Sequence, residues 1–143
     1  MTDWVAVASA DHCAAAVAGG FTQLGHGRAA PVERLAPGDR IALYAPRERM
    51  GAGAPVQDFV AFGRVGDGAP WREGEAGPTR RAVRWDGAAR PAPVRPLLAS
   101  LGFVPDGPHW VMAFRRSAFR VPPADMDRIA AAMGCVATGA AAR

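Results

Sequence analysis

Glycine and proline cut this chain into short apolar runs, and that punctuation limits what it can fold into. They occupy 17 and 13 of the 143 positions and are spread along the whole length. Residues 4–8 (WVAVA) form an apolar run that reads as a buried strand. Residues 40–45 (RIALYA), 57–65 (QDFVAFGRV) and 80–85 (RRAVRW) alternate as half-buried strands do. Residues 109–115 (HWVMAFR) and 119–121 read as further strands. Helical patterns are expected over 11–18, 96–101 and 125–133, with a single turn at 31–35. Segments 46–56 (PRERMGAGAPV) and 69–79 are expected to be loop and irregular chain. The helices are inserted among the strands instead of alternating with them, which argues against a doubly wound parallel sheet. The expected class is α+β, with a small closed sheet of five or six strands. The length suits one domain, 1–143.

All 17 basic residues are arginine and the net charge is +4. A GC-rich genome gives that pattern through codon usage, and an anionic partner such as nucleic acid also fits it. Cys13 and Cys135 stand far apart with no metal-ligand spacing, so reduced thiols in a cytoplasmic protein are expected. His12, His26 and His109 are not arranged with acids as a metal site, and no cofactor is expected. The N-terminus lacks the basic and apolar regions of a signal peptide. No apolar run approaches membrane-spanning length, so no membrane partner is expected.

Residues 19–31 (GGFTQLGHGRAAP) form a glycine-rich loop. Gly20 and Gly25 have phosphate-loop spacing, but His26-Gly27 stand where that loop needs lysine to neutralise phosphate and a hydroxyl to hold Mg²⁺. Nucleotide hydrolysis is therefore excluded. Residues 25–30 (GHGRAA) lack the third glycine and the strand–turn–helix setting of a dinucleotide fingerprint. Ser9, Asp11 and His12 cluster at a strand-to-helix junction without the G-x-S-x-G elbow of a hydrolase, so Ser9 reads as a helix N-cap. A small hydrolase working from His12 or His26 is the weakest of three readings. Most aromatics belong in a core of this size. Phe21 and Trp71 instead fall in glycine-rich or irregular segments, where a ring can stack on a flat ligand. Arg80-Arg81 is a paired cation at a strand start.

Residues 4–12 (WVAVASADH), 18–39 (AGGFTQLGHGRAAPVERLAPGD), 43–46 (LYAP), 59–65, 80–85, 94–103 and 125–133 run collinear with the blocks of a known family. The chain resembles the EVE domain, and more closely its single-domain bacterial branch, the UPF0310 proteins. The resemblance implies a small, strongly bent PUA-like barrel flanked by helices, related to YTH, ASCH and PUA domains. It implies a non-catalytic module holding a modified or extruded base of DNA or RNA beside the first strand–helix junction. Phe21 falls where the related YTH domains have a cage aromatic. The expected ligand-binding residues are Ser9, His12, Gly20, Phe21, Thr22, Gln23, Tyr44, Ala45, Pro46 and Trp71. His26, Arg28, Arg80 and Arg81 are expected on phosphates. The usual serine of the YSP block is Ala45 here, the usual lysine after His-Gly is Arg28, and the 115–123 stretch (RRSAFRVPP) departs from the familiar pattern. The alternative reading is a sensor of a free nucleoside or another small planar metabolite in the same pocket.

Overall fold

The computed structural model describes residues 1–135. Strands β1 (Asp3–Val7), β2 (Phe21–Thr22), β3 (Arg40–Arg49), β4 (Ala52–Val65), β6 (Thr79–Trp85) and β8 (Ala118–Arg120) form a curled mixed sheet in the order β2-β6-β4-β3-β1-β8. Two short strands, β5 (Trp71–Arg72) and β7 (Ala92–Pro93), pair onto β6 and β4. Helices α1 (Ala10–Gly19) and α2 (Ala29–Glu33) are inserted between strands, and α3 (Pro123–Ala132) follows the last one. This is the expected small PUA-like α+β fold, as a half-barrel with six strands along its main path. No helix among the described residues is long and apolar enough to cross a membrane.

The central strands are covered on both faces, and their alternation sorts the core in two. Trp4, Ala6, Ile41, Leu43, Ala61 and Val65 face α1 and α2 through Cys13, Ala16 and Val32. Val5, Ala42, Tyr44, Phe59 and Phe62 face the other way, against Met126 and Ile129 of α3, Met133 just after it, and Trp110 and Phe114. Each of the buried valine, leucine, isoleucine, phenylalanine and methionine side chains contributes roughly 1.5–3 kcal/mol relative to exposure.

β1 pairs in parallel with β3, from Asp3 opposite Arg40 to Val7 opposite Tyr44. Two buried carboxylates fasten this pair. Arg40 donates from Nε and Nη2 to the two oxygens of Asp3, both at 2.8 Å, and from Nη1 to Asp127 on α3 at 2.6 Å. Asp39 accepts from the Trp4 indole, the Thr2 amide and the Ala36 amide, each at 2.9 Å.

Three expected segments differ. Residues 46–56 are not loop: β3 and β4 continue outward as a hairpin turning at Met50-Gly51. Its register shifts around Pro46, so the missing amide of that proline interrupts no regular ladder. Residues 69–79 include β5, paired to β6 through Trp71 opposite Arg80. Residues 109–115 are not a strand but contain a 3₁₀ helix, Trp110–Phe114. Burial there follows helical spacing, with Trp110 and Phe114 inside and Val111 and Met112 exposed.

Asp3→Ala should lower unfolding stability by about 3–5 kcal/mol, because it leaves a buried guanidinium poorly compensated. Asp127→Ala, at the solvent-facing end of the same arginine, should cost less than about 1 kcal/mol. Urea unfolding checks both, and equal losses would contradict this account of the β1–β3 pair. Burial also pushes three acids up. The Cys13 thiol rises to about 12 with help from the charge of Asp11, Cys135 to about 11 beside Asp86, and the Tyr44 hydroxyl to about 12 beside Asp58. The unfolded chain releases these protons at lower pH than the folded one, so stability should fall as pH rises from about 9 towards 12. A urea midpoint series across pH 7–11 measures this, and a midpoint that holds or rises above pH 9 would contradict it. At pH 8 both thiols should resist a thiol reagent until the protein is denatured.

Candidate functional site

A cleft of about 660 Å³ opens on the α1 side of the sheet. Its walls are the end of β1 with the start of α1, then β2 and the chain up to His26, then the outer part of the β3–β4 hairpin, and finally Arg115–Ser117. β1 ends here because its ladder is taken up locally. Val7 donates its amide to Ser117 O at 2.9 Å and Ala8 donates to Tyr44 O at 3.1 Å.

Ser9 stands at the N-cap position with extended backbone, but its hydroxyl does not cap the helix. It donates to Asp11 Oδ1 at 2.5 Å, and the His12 amide donates to the same oxygen at 2.8 Å. These bonds, that from Ser9 first, hold the Asp11 carboxyl below its usual range. A carboxylate so stabilised is a poor general base, and Cys13, with its thiol raised, is a poor nucleophile. Among the described residues no group of three or more His, Cys, Asp and Glu could hold a metal ion.

Helix α1 stops at Gly20, whose left-handed φ of 70° turns the chain into β2. Gly19 is needed for a different reason: a Cβ there would lie 2.4 Å from Phe21 Cε2. The Phe21 ring therefore lies directly against backbone. The Trp85 indole N–H is shared by the carbonyls of Ala16 and Phe21, both at 3.2 Å, tying the helix end to β2. Over the Phe21 ring stands the Arg80 guanidinium, 4.0 Å from the centroid. Arg80 also donates from Nε to Gln23 Oε1 at 3.0 Å and pairs with Glu73 at 3.6 Å. Glu73 in turn accepts from the Trp71 indole at 3.0 Å.

Of the expected residues, Ser9, His12, Phe21, Thr22, Gln23, His26, Pro46 and Arg80 line this cleft. Gly20 forms the turn beneath it. Tyr44 does not line it: alternation along β3 turns its ring to the α3 side, stacked on Phe114 at 4.1 Å. Ala45 is fully buried in the core. Trp71 stays outside, joined to the cleft residue Arg80 through Glu73 and the β5–β6 pairing. Arg81 points inward from β6 and donates to Leu35 O at 2.6 Å, so its guanidinium is buried where no phosphate passes. Arg28 lies in an adjoining groove.

The cleft also gathers Arg47, Arg49, Arg115 and Arg116, which sequence reasoning did not place there. With Arg80, His12 and His26 they make a basic rim, and no Asp or Glu among the described residues lines it. The tandem Arg115-Arg116 carried the same signal in sequence as Arg80-Arg81. Arg47 and Arg49 were hidden because their segment read as loop. Chemically the site can hold an anionic chain at its rim and a flat ring within.

The family model of the EVE domain matches residues 2–132. A UPF0310 protein of Mycolicibacterium gilvum is 38% identical over 136 residues, covering 93% of this chain and 96% of its own. A UPF0310 protein of Mesorhizobium japonicum is 40% identical over 141 residues, covering 94% and 93%. One of Bacillus licheniformis is 34% identical over 124 residues, covering 85% and 84%. The family is PUA-like, generally binds nucleic acid and is not known as catalytic. A match across nearly the whole chain, carried on the curled sheet described above, means that this protein belongs to the EVE domain family.

Proposed function

We propose that the cleft receives one nucleobase, modified or extruded from its strand, and that the protein binds it without catalysis. The observation that carries this reading is the Phe21–Arg80–Gln23 arrangement. A guanidinium already covers the aromatic face at 4.0 Å, so the next flat group to enter stacks on the outer side of Arg80. Stacking of this kind contributes roughly 1–3 kcal/mol per base and tolerates every base.

Choice among bases then falls to polar atoms at the edge. Arg80 Nε can only donate, so it holds the Gln23 carbonyl towards itself and turns the amide NH₂ away. Gln23 Nε2 has no hydrogen-bond partner among the described residues. It offers two donors to a ring nitrogen or carbonyl on the base. The rim arginines Arg47, Arg49, Arg115 and Arg116 suit backbone phosphates, which position a strand without reading its sequence. A free nucleoside would leave that basic rim unanswered.

Titration with single-stranded oligonucleotides bearing cytosine, 5-methylcytosine, adenine, N6-methyladenine or, as the base without an exocyclic amine, thymine tests the proposal. Phe21→Ala removes the ring on which Arg80 lies flat, and the loss of that stacking platform should weaken the best of these about 5- to 150-fold. Unchanged affinity, or no binding by the native protein across the panel, would sink it. A free nucleoside binding as tightly as its oligonucleotide would favour the metabolite reading. Gln23→Glu keeps the tie to Arg80 but replaces two donors with an acceptor. It should shift the ranking of bases towards those that present an exocyclic amine, by up to about 1–3 kcal/mol. A ranking identical to that of the native protein would remove Gln23 as the reader.

A further inference from the structure

The base cleft does not end at Gln23. A second groove, about 760 Å³, begins at Gln23 and His26, the two residues it shares with the cleft. It runs between the chain at 26–29 and the segment 76–79, past Arg28, Arg72 and Thr79. No Asp or Glu among the described residues lines it. Its cations are only lightly used. Arg28 gives Nε to Gly25 O at 3.0 Å, and Arg72 gives Nε to Gly77 O at the long distance of 3.5 Å. The Nη atoms of both have no hydrogen-bond or ion-pair partner among the described residues.

The two walls of the groove are fixed to each other. Gly27 has a φ of 83°, and a Cβ there would come within 2.6 Å of Pro78 Cβ, so the loop and the 76–79 segment meet at backbone distance. At the corner where groove joins cleft, His26 holds a left-handed φ of 62°, a conformation costly for a residue with a Cβ. His26 is exposed there and lines both the cleft and the groove.

We infer that this groove is a second subsite, taking the sugar–phosphate backbone next to the base in the cleft, so that the ligand is a strand and not a single nucleotide. The inference rests on the base-binding reading above and adds a path and a length to it. Arg28 and Arg72 supply the guanidinium forks that a phosphate accepts, His26 marks the bend, and the rim arginines of the cleft hold the strand on the other side.

The test uses fluorescein-labelled ten-residue single strands of random sequence, one DNA and one RNA, with a 5′-mononucleotide mixture as the short competitor. Arg28→Gln/Arg72→Gln alters two exposed side chains, and circular dichroism checks that the variant folds. The native protein should prefer the ten-residue strand to the mononucleotides. The double variant should bind the strand at least tenfold more weakly at low salt. The slope of log affinity against log salt should become shallower by about 1.4, two single-strand phosphates. Strand affinity and salt slope equal to native would overturn the inference. If Phe21→Ala still weakens the strand in that case, the base cleft stands and only the groove falls. If the native protein binds neither strand, the groove falls, and the base cleft is decided separately by the panel of modified oligonucleotides.

Discussion

The parallel pairing of β1 with β3 is the constraint on which the rest of the molecule depends. It brings together segments 37 positions apart, from Asp3 opposite Arg40 onward, and has no hairpin to help it close. Two adjacent residues, Asp39 and Arg40, hold it from opposite directions. Asp39 gathers three N–H donors from the first strand and the preceding turn, and Arg40 bridges Asp3 to α3. The carboxylates fasten the start of β1, and the register they fix runs to Val7 opposite Tyr44, just before α1 begins. The cleft is the space left where β1 passes into α1, at the far end of the strand that this pairing secures.

Charge is divided in the same economical way. Buried arginines are structural: Arg40 is paired with carboxylates, and Arg81 donates to a carbonyl. Arginines near the cleft are held by single bonds to carbonyls or by an aromatic face, as with Arg28, Arg47 and Arg80. The carbonyl contacts orient a guanidinium without neutralising it, whereas Arg80 is also paired with Glu73 at 3.6 Å. An anion arriving at the rim meets charges already positioned, which lowers the ordering cost of binding.

Much of this was legible in the sequence. The apolar run 4–8, the alanine-rich helix stopped by glycine and the alternating 80–85 segment are all where pattern placed them. The outward hairpin was not legible, because Pro46 and a run of glycines look like loop unless a bulged partner strand is known. Residues 109–115 misled for a different reason: alternation and helical spacing coexist there, and only the buried partners of Trp110 and Phe114 decide between them. In the site, Phe21, Gln23 and Arg80 were found from loop chemistry and from resemblance. Tyr44 and Arg81 were expected there but lie elsewhere, since side-chain direction on a strand flips with each residue and depends on register. Arg115 and Arg116 join the cleft through tertiary folding alone.

Chemical-shift mapping of the ¹⁵N-labelled protein with the best-binding oligonucleotide of the panel tests the central claim most directly. The account predicts that the perturbed amides cluster at residues 9–12, 21–26, 79–80 and 115–117, with the α3 face around Met126 and Ile129 silent. Perturbations centred on α3, or scattered without a centre, would contradict it.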